Sequence, residues 1–353
     1  MVGRRRGSQG AGRAPTVSDV AALAGVSAGT VSKALNGRGQ LRQDTRARVR
    51  EAAAALGFEP NVLARGLLSG RTYTVGVITT DSFGRFTIPV MLGVEDTLDA
   101  GQLSVMLCDG RGDPAREQHY VRTLLGRRVD GMIVTGRRGD PRPPLAENLP
   151  VPVVYVLARS AAEQDISVVY DDEQGARLAI EHLLDTGRTR IAHVTGPERH
   201  LSARLRAAAT AEALAGAGGV AGGIRWGQWS EEWGRGAMAQ LHRRRVDFDA
   251  VFCGSDQIAR GVVDGLREAG IAVPGEVAVI GFDNWDVMAR AARPALSTID
   301  PELTALGHQA ATRLLDAIAG RPEPGVYRNP CRLVVRESTG GPSAPGDDLP
   351  AAK

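Results

Sequence analysis

Short β-rich runs alternate with longer helical patterns through most of the chain after Arg71, and this alternation strongly limits the fold. Runs of apolar and β-branched residues predict seven strands, at residues 74–79, 104–107, 131–135, 153–156, 191–195, 250–253 and 277–282. Between two of these runs, Ala176, Ile180 and Leu183 share one face of a predicted helix. Strands that alternate with helices form parallel sheets covered by helices. Because this is too much chain for one ordinary sheet, we predict two similar parallel-sheet lobes with a cleft between them.

The part of the chain before Arg71 has a different pattern, with three short predicted helices. Thr16 and Asp19 have the spacing of a capping box, in which the hydroxyl accepts a backbone N–H and the carboxylate favours the positive helix end. Gly25 is placed to end this first helix, and Ser27 is placed to cap a second one. A third helix is predicted from about residue 43 to residue 56. Three helices this short form a small all-α domain.

The two parts of the chain also differ in charge. Residues 1–71 hold 12 basic and 4 acidic side chains, whereas the rest of the chain holds 31 basic and 36 acidic ones. The formal net charge of +3 therefore hides a basic end joined to a mildly acidic body. This pattern indicates a polyanion-binding module fused to a body with another role.

Neither a membrane protein nor an exported one is expected. No apolar stretch reaches the roughly 18 residues of a membrane span, and the first residues carry charge with no apolar segment of the kind found in secretory signals. The three cysteines, Cys108, Cys253 and Cys331, are far apart and form no C-x-x-C pair. We therefore predict a cytoplasmic protein with free thiols and no membrane contact.

The motifs of the common enzyme classes are missing. There is no G-x-G-x-x-G, and a phosphate-binding loop needs a lysine that follows a glycine, whereas the only lysines are Lys33 and Lys353. Residues 25–29 match the G-x-S-x-G pattern of hydrolases, but a predicted helix precedes them instead of a strand, so a helix cap is the favoured interpretation of Ser27. The six histidines show no metal-binding spacing. We predict no catalytic residue, no metal site and no cofactor.

The two helices on either side of residues 25–27 have the spacing of a helix-turn-helix. The second helix presents small and polar residues near its start, namely Ala28, Gly29, Thr30, Ser32 and Lys33. Such a helix fits the major groove of DNA, where its first residues meet base edges and nearby arginines hold phosphates. A helical bundle without a DNA-binding role is the alternative, which the local excess of basic residues disfavours.

These residues resemble the DNA-binding head of the LacI/GalR family of bacterial transcription regulators. The resemblance rests on residues 16–36, which read TVSDVAALAGVSAGTVSKALN, and on body motifs such as RVDGMIV at 128–134, SDQ at 255–257 and GFDN at 281–284. It covers roughly residues 16–338. The family implies a homodimer, or a higher oligomer, that binds pseudo-palindromic double-stranded operator DNA. It also implies a body that resembles periplasmic sugar-binding proteins and binds a small-molecule effector, predicted here to be a sugar or sugar derivative.

The resemblance and the charge pattern together define the predicted domains. They are a disordered basic tail at residues 1–15, a helix-turn-helix DNA-binding domain at 16–59, a hinge helix or linker at 60–71, a two-lobed effector-binding and dimerisation domain at 72–338, and a disordered tail at 339–353. The predicted function is sequence-specific repression of transcription under allosteric control by the effector. Whether the effector releases the operator or strengthens its binding stays open.

By the family pattern, Ala28, Gly29 and Lys33 occupy the positions that read bases. The other predicted DNA-binding residues are Thr16, Ser27, Ser32, Asn36 and Thr45 on the DNA backbone, Thr30 near the start of the second helix, and Asn61, Ala64 and Leu67 in the hinge. Lys33 can donate to a guanine O6 or N7, and a phosphate contact is the alternative. Leu67 is predicted to wedge into the minor groove, with packing in its own helix as a second role.

A polar ligand is expected at the carboxyl ends of the strands, where loops from both lobes meet. The predicted effector-binding residues there are Phe86, Arg206, Trp229, Ser255, Asp256, Asp283 and Trp285. Charged and amide groups hydrogen-bond sugar hydroxyls, and aromatic rings cover the apolar face of a sugar ring. Arg206 and Asp283 match the family's ligand-binding positions best, whereas core packing is an equal alternative for any single tryptophan. A solute-binding protein would need an export signal, and a sugar-modifying enzyme would need catalytic groups.

Overall fold

The computed structural model of the chain describes residues 15–35, 40–58, 71–80, 84–99, 103–136, 139–244 and 246–340. The chain divides into two compact units, with the boundary between Thr72 and Tyr73. The first unit contains three helices at the predicted places, α1 (Val17–Ala24), α2 (Ala28–Leu35) and α3 (Gln43–Leu56). The predicted DNA-binding residues Asn36, Asn61, Ala64 and Leu67 and most of the two predicted tails lie outside the described residues.

Local capping determines where the first two helices begin and end. The predicted capping box is confirmed, with the Thr16 backbone N–H donating to Asp19 Oδ2 at 2.7 Å. α1 ends at Gly25, whose φ of 65° lies in the left-handed region that favours glycine. At the start of α2, the Thr30 N–H donates to Ser27 Oγ at 3.2 Å. The three helices pack on a small core of Val20, Ala21, Ala24, Val31, Ala34, Val49, Ala52 and Ala53.

The second unit consists of α-helices and mostly parallel strands. Its strands are β1 (Thr74–Thr79), β2 (Ser104–Asp109), β3 (Gly131–Thr135), β4 (Pro141–Arg142), β5 (Val153–Val156), β6 (Arg159–Ser160), β7 (Ile166–Tyr170), β8 (Arg190–Thr195), β9 (Val220–Trp226), β10 (Ala250–Cys253), β11 (Ala278–Phe282), β12 (Ser297–Asp300), β13 (Gly325–Asn329) and β14 (Arg332–Val334). Its helices are α4 (Thr87–Asp99), α5 (Pro114–Gly126), α6 (Asp172–Asp185), α7 (Leu201–Gly216), α8 (Glu231–Arg243), α9 (Asp256–Glu268), α10 (Asp286–Ala289) and α11 (Leu303–Ile318), followed by a 3₁₀ helix at Glu337–Thr339. In the described part of the chain, none of the helices is long and apolar enough to cross a membrane.

Two six-stranded sheets confirm the predicted pair of similar lobes. The first sheet has the order β13-β7-β5-β3-β1-β2, and the second has the order β14-β12-β11-β10-β8-β9. Neighbouring strands are parallel in both sheets, except that β14 runs antiparallel to β12. Every residue of β3 and β10 is buried, which is why these strands have continuous apolar sequences. A third, two-stranded sheet pairs β4 with β6.

The sequence patterns located seven of these strands and missed the other seven. Of the missed strands, β9 contains Gly222 and Gly223, which interrupt its apolar run, and β13 mixes polar and apolar residues at the edge of the first sheet. β4, β6 and β14 have two or three residues each, too few for a periodic signal. Three predicted strands also differ at one end, because β2 extends to Asp109, β8 begins at Arg190 and β11 begins at Ala278. None of these differences changes the fold class.

The chain passes between the two sheets three times, after β7, after β12 and after β13. α6 follows β7 and packs against α7 and β12 in the second lobe, whereas α11 follows β12 and packs against α4 and β5 in the first lobe. The first lobe therefore combines residues 73–171 with residues 303–329, and the second combines residues 172–300 with residues 330–340. Each lobe is built from non-adjacent parts of the chain.

Glycines allow one helix pair in each lobe to approach closely. A Cβ atom on Gly93 of α4 would lie 2.0 Å from the carbonyl oxygen of Thr304 in α11. In the second lobe, a Cβ atom on Gly234 of α8 would lie 2.2 Å from the carbonyl oxygen of Ile258 in α9. Protein interiors are packed too densely to accept such an overlap. These positions therefore require glycine because of the neighbouring helix.

Replacing Gly234 by alanine is expected to destabilise the second unit by about 1–3 kcal/mol, because the added methyl group overpacks the contact with α9. Gly236, in the same helix, is the matched control, since a Cβ atom there would meet nothing within 4 Å. Gly236→Ala should raise the free energy of unfolding by up to about 1 kcal/mol through helix propensity. Urea unfolding measures both changes. Equal midpoints for the two variants would show that α8 moves away from α9 without cost.

Candidate effector cleft and DNA-binding helix

Loops from the two lobes meet at the carboxyl ends of the parallel strands. After β1 in the first lobe, Arg85 Nη1 donates to Gln257 Oε1 at 2.9 Å in the second lobe, and the same guanidinium pairs with the Asp283 carboxylate. After β3 in the first lobe, Asp140 Oδ1 accepts the Leu201 backbone N–H at 2.7 Å, at the start of α7. These two contacts bridge the cleft. This is the location where open α/β folds bind ligands.

Arg206, a predicted effector residue on α7, connects the end of one strand of the first lobe to the ends of two strands of the second. The residue is 2% exposed. Its Nε donates to Asp172 Oδ1 at 2.7 Å, its Nη1 donates to the Gly254 carbonyl oxygen at 2.5 Å, and its Nη2 donates to the Tyr170 hydroxyl at 3.1 Å. Its guanidinium carbon lies 3.4 Å from the centroid of the Phe282 ring. These contacts fix the guanidinium at the ends of β7, β10 and β11.

The charge of Arg206 is balanced by its neighbours. Burial alone lowers the pKa of the guanidinium, but Asp172, Tyr170 and Asp283 raise this pKa, and the net shift is upward. Arg206 therefore stays protonated in the folded protein. A buried ion pair of this kind depends on both partners, because removal of one leaves an uncompensated charge.

Asp283 and Asn284 follow β11 in an unusual backbone conformation. Their φ angles of 111° and 45° both lie in the region that favours glycine. Asn284 Nδ2 donates to Asp300 Oδ2 at 2.9 Å, and Arg336 Nη2 donates to Asn284 Oδ1 at 2.8 Å. A strained turn persists only where its surroundings hold it, and such turns concentrate at ligand sites. This turn brings the Asp283 carboxylate to Arg85.

Arg85 was not a predicted site residue, yet it contacts three predicted effector residues, namely Phe86, Asp283 and Trp285. Its guanidinium carbon lies 4.6 Å from the centroid of the Phe86 ring and 4.5 Å from the centroid of the Trp285 ring. With its ion pair to Asp283, it brings together aromatic and acidic groups from both lobes. Arg85 directly precedes Phe86 in the loop after β1. Arg85 therefore has the same position after a strand end that led to the prediction of Phe86.

Ser255 and Asp256, also predicted effector residues, have partners within the second lobe. Ser255 Oγ caps α9 by accepting the Ile258 N–H at 3.3 Å. Asp256 is fully buried and accepts the Thr298 hydroxyl at 2.6 Å and the Trp285 backbone N–H at 2.7 Å. Asp256 therefore holds the turn that carries Trp285.

The carboxyl groups of Asp256 and Asp283 influence each other's ionisation. Burial, reinforced by repulsion from Asp283, raises the pKa of Asp256 to about 8. Burial also raises the pKa of Asp283, while Arg85 and Arg206 act in the opposite direction. Asp256 is therefore largely protonated at neutral pH, and the negative charge of the two groups is reduced.

Trp229, the remaining predicted effector residue, lies beside the contact that joins Asp140 of the first lobe to Leu201 of the second. Its Nε1 donates to His200 Nδ1 at 2.8 Å, and the two rings are nearly parallel, with an interplanar angle of 7°. A Cβ atom on Gly196, after β8, would lie 2.2 Å from the Trp229 ring. His200 immediately precedes Leu201, whose N–H is bound by Asp140. Trp229 is thus fixed near the place where the first lobe contacts α7.

Three further groups at the strand ends were not predicted from the sequence. Tyr170 and Asp172 lie at the end of β7, and because this strand was not predicted, no site residue was expected at its carboxyl end. Asp140 lies in the loop after β3, and no motif marks it. No group of three His, Cys, Asp or Glu side chains in the described part of the chain could hold a metal ion.

In the first unit, one face of α2 presents residues predicted to read DNA bases. The exposed residues on this face are Ala28, Gly29, Ser32 and Lys33. Val31 and Ala34 are fully buried against the other helices. The Thr30 and Ser27 hydroxyls lie 2.9 Å apart, and Thr45, near the start of α3, is half-buried. Two of the residues on this exposed face are alanine and glycine, whose side chains project little from the helix. Such a face can be inserted into a groove of DNA.

The fold and the cleft define a class in which a two-lobed ligand-binding body and a helix-turn-helix head share one chain. Residues 16–61 match the family model for bacterial regulatory proteins, lacI family, and residues 180–339 match the model for the periplasmic binding protein-like domain. CelR of Thermobifida fusca, an HTH-type transcriptional regulator, is 34% identical over 337 residues, which cover 92% of this chain and 98% of CelR. The chain belongs to the lacI family of bacterial regulatory proteins.

Solved structures of related regulators have the same architecture. The Lac repressor dimer bound to operator and the anti-inducer ONPF is 27% identical, with a TM-score of 0.69 over 93% of this chain and 99% of the repressor chain. The CelR–cellobiose complex is 32% identical, with a TM-score of 0.66 over 92% of this chain and 99% of that chain. The protein is therefore a DNA-binding transcriptional regulator and not an enzyme.

Proposed function

We propose that this protein is a repressor whose binding to operator DNA is controlled by a saccharide, or a saccharide derivative, bound between the lobes. The polar and aromatic cluster at the strand ends carries the proposal. It combines Arg85, Asp283 and Arg206 with the rings of Phe86 and Trp285. Charged groups bind vicinal hydroxyls, and rings cover the apolar face of a sugar. The solved complex of CelR with cellobiose supports this ligand class.

The proposed DNA partner is a pseudo-palindromic operator bound by two copies of the chain in the cytoplasm. The Lac repressor dimer solved on its operator supports this arrangement. We propose that α2 enters the major groove and that residues 60–71 form the hinge. In this arrangement Ala28 and Gly29 allow a close approach, and Lys33 supplies a donor for base edges.

Linkage between the two sites explains the control. The lobes are joined by three chain crossings and bridged by Arg85 and Asp140, so a ligand in the cleft changes the balance between their arrangements. If the operator favours one arrangement, effector and operator change each other's affinity by the same factor, which typically corresponds to 1–3 kcal/mol. The effector releases the operator or strengthens its binding, depending on which arrangement of the lobes the effector favours.

A mobility-shift titration with the full chain tests the proposed function. An operator is first selected from a pool of random pseudo-palindromic duplexes and is then titrated with and without a panel of saccharides. We expect the selected duplex to bind more tightly than a scrambled duplex, and at least one saccharide to change its affinity by about 5- to 150-fold. Equal affinity for both duplexes contradicts sequence-specific binding. An operator affinity that no saccharide alters contradicts the effector class.

Lys33→Ala should weaken binding to the selected operator by about 1–3 kcal/mol and leave binding to the scrambled duplex nearly unchanged, because the lysine donates to base edges. Arg48→Ala removes one charge from an exposed position on α3 and serves as the control. This control should weaken binding to both duplexes alike and reduce the salt dependence. A Lys33→Ala variant with equal losses on both duplexes would identify Lys33 as a phosphate contact.

A further inference from the structure

We propose that the effector carries an anionic group, a carboxylate or a phosphate, and that Arg85 selects it. This inference rests on the saccharide-controlled function proposed above and specifies its ligand class. It concerns a residue that the family resemblance did not assign. Four observations support it, namely the exposure, the free donors, the aromatic contacts and the charge balance of the cluster.

The exposed fractions of the side chains show which charged group an approaching ligand meets first. The Arg85 side chain is 14% exposed, against 6% for its partner Asp283. In the neighbouring ion pair, Arg206 is 3% exposed and Asp172 is 6% exposed. Arg85 is therefore the most exposed of these four charged groups. An approaching ligand meets a positive site with carboxylates behind it.

The Arg85 guanidinium has donors to spare. A guanidinium has five N–H donors, and here Nη1 donates to Gln257 and Nη2 donates to Asp283. Nε is buried and has no hydrogen-bond partner among the residues that the structure describes. In Arg206, in contrast, each of the three guanidinium nitrogens donates a hydrogen bond, to Asp172, to Gly254 or to Tyr170. Arg85 can therefore donate to further oxygen atoms of a ligand, including from a nitrogen that has no partner, whereas every nitrogen of Arg206 already has one.

The aromatic contacts hold the guanidinium of Arg85 without using its donors. The Phe86 and Trp285 rings lie 4.6 Å and 4.5 Å from the guanidinium carbon, one from each lobe. Rings that lie over the face of the planar group leave its remaining N–H groups, at the edge, for charge-assisted hydrogen bonds to a carboxylate or a phosphate.

The charge balance around Arg85 also favours an anion. Asp256 is largely protonated at neutral pH, and Asp172 is engaged by Arg206. Asp283 is therefore the carboxyl group that directly pairs with Arg85 within the described cluster. A cationic ligand would have to displace Arg85 from this carboxylate. An anionic ligand can accept hydrogen bonds from the same guanidinium while Asp283 remains paired with it. The cation is then already held in place when the ligand binds.

Matched pairs of saccharides test the proposal with the full chain. Isothermal titration compares glucuronate with glucose, galacturonate with galactose, and glucose 6-phosphate and glucosamine with glucose. The wild-type protein should bind at least one acidic member about tenfold or more tightly than its neutral partner, as expected for a charge-assisted contact. Arg85→Gln should reduce that affinity by about 10- to 100-fold and should weaken binding of the neutral partner much less, so that the preference for the acid is lost. Arg85→Lys, which keeps the charge, should retain part of the preference.

Arg235→Gln is the matched control, because it removes one charge from an exposed ion pair on α8. It should leave the acidic preference intact. Wild-type protein that binds the neutral sugars or glucosamine as tightly as the acids overturns the inference but leaves the saccharide-controlled function standing. An acidic preference that survives Arg85→Gln in a folded variant overturns the role of Arg85. Absence of binding by every saccharide refutes both the proposed function and this inference.

Discussion

Replacing Arg206 by methionine is expected to abolish the saccharide response and to lower the free energy of unfolding of the second unit by about 3–5 kcal/mol. The stability is lost because Asp172 would keep a buried carboxylate without the guanidinium that donates to it at 2.7 Å. The Gly254 carbonyl oxygen and the Tyr170 hydroxyl would lose a donor as well. Urea unfolding measures the stability, and a mobility-shift titration with saccharide measures the response.

A second substitution separates the two roles of Arg206. Arg206→Met combined with Asp172→Asn removes both charges of the buried pair and should recover most of the lost stability, since the uncompensated carboxylate is gone. The saccharide response should remain absent if Arg206 contacts the effector. Binding to random DNA is the control, because the head belongs to the other unit. A double variant with a normal response would limit Arg206 to a structural role.

The stability of the second unit is expected to fall as the pH rises towards 8, because of Asp256. Burial raises the pKa of this residue from an ordinary value of 3.8 to about 8 in the folded protein. Between these values the folded state holds a proton that the unfolded chain has released. Rising pH therefore favours unfolding, by up to about 1.4 kcal/mol per pH unit for one proton. The contribution is complete below the lower pKa and is lost as the pH passes the upper one.

Asp256→Asn should remove most of this pH dependence. The amide can accept the Trp285 N–H and donate to the Thr298 hydroxyl, so both hydrogen bonds have a counterpart in the variant. In urea unfolding between about pH 5 and pH 8, the variant should show a flatter profile and should exceed the wild-type stability at the upper end. Asp264→Asn, on the outer side of the same helix, is the control and should keep the wild-type slope. Equal slopes for all three proteins would show that Asp256 is ionised throughout.

The head and the fold class could be predicted because their signals are local. Thr16 and Asp19 are three residues apart, and Gly25 and Ser27 act on the backbone next to them. Strand and helix periodicities likewise extend over short windows. The buried strands β1, β3, β5 and β10 were predicted with their observed ends, because continuous apolar runs mark strands covered on both faces.

The cleft could be predicted only in part, because its contacts join distant parts of the chain. Arg85 and Asp283 are separated by 198 positions, and Arg206 and Asp172 by 34. Strand-end reasoning selected Phe86, Asp283 and Trp285, which the structure places around one guanidinium. It gave no indication that Arg85 would be that guanidinium. Nor could it show that Asp256 is buried, since burial depends on strands and helices that pack on it from elsewhere.

The three crossings between the lobes have a consequence for protein synthesis. Residues 303–340 supply α11 and β13 to the first lobe and β14 to the second, so both sheets stay incomplete until the last part of this region has emerged from the ribosome. The head needs only contacts among its own short helices and can fold early. A nascent chain therefore carries a finished DNA-binding head before it has a finished sensor. Until then, the apolar surfaces that α11 will cover are exposed to aggregation. Fast translation or chaperones are needed to protect them.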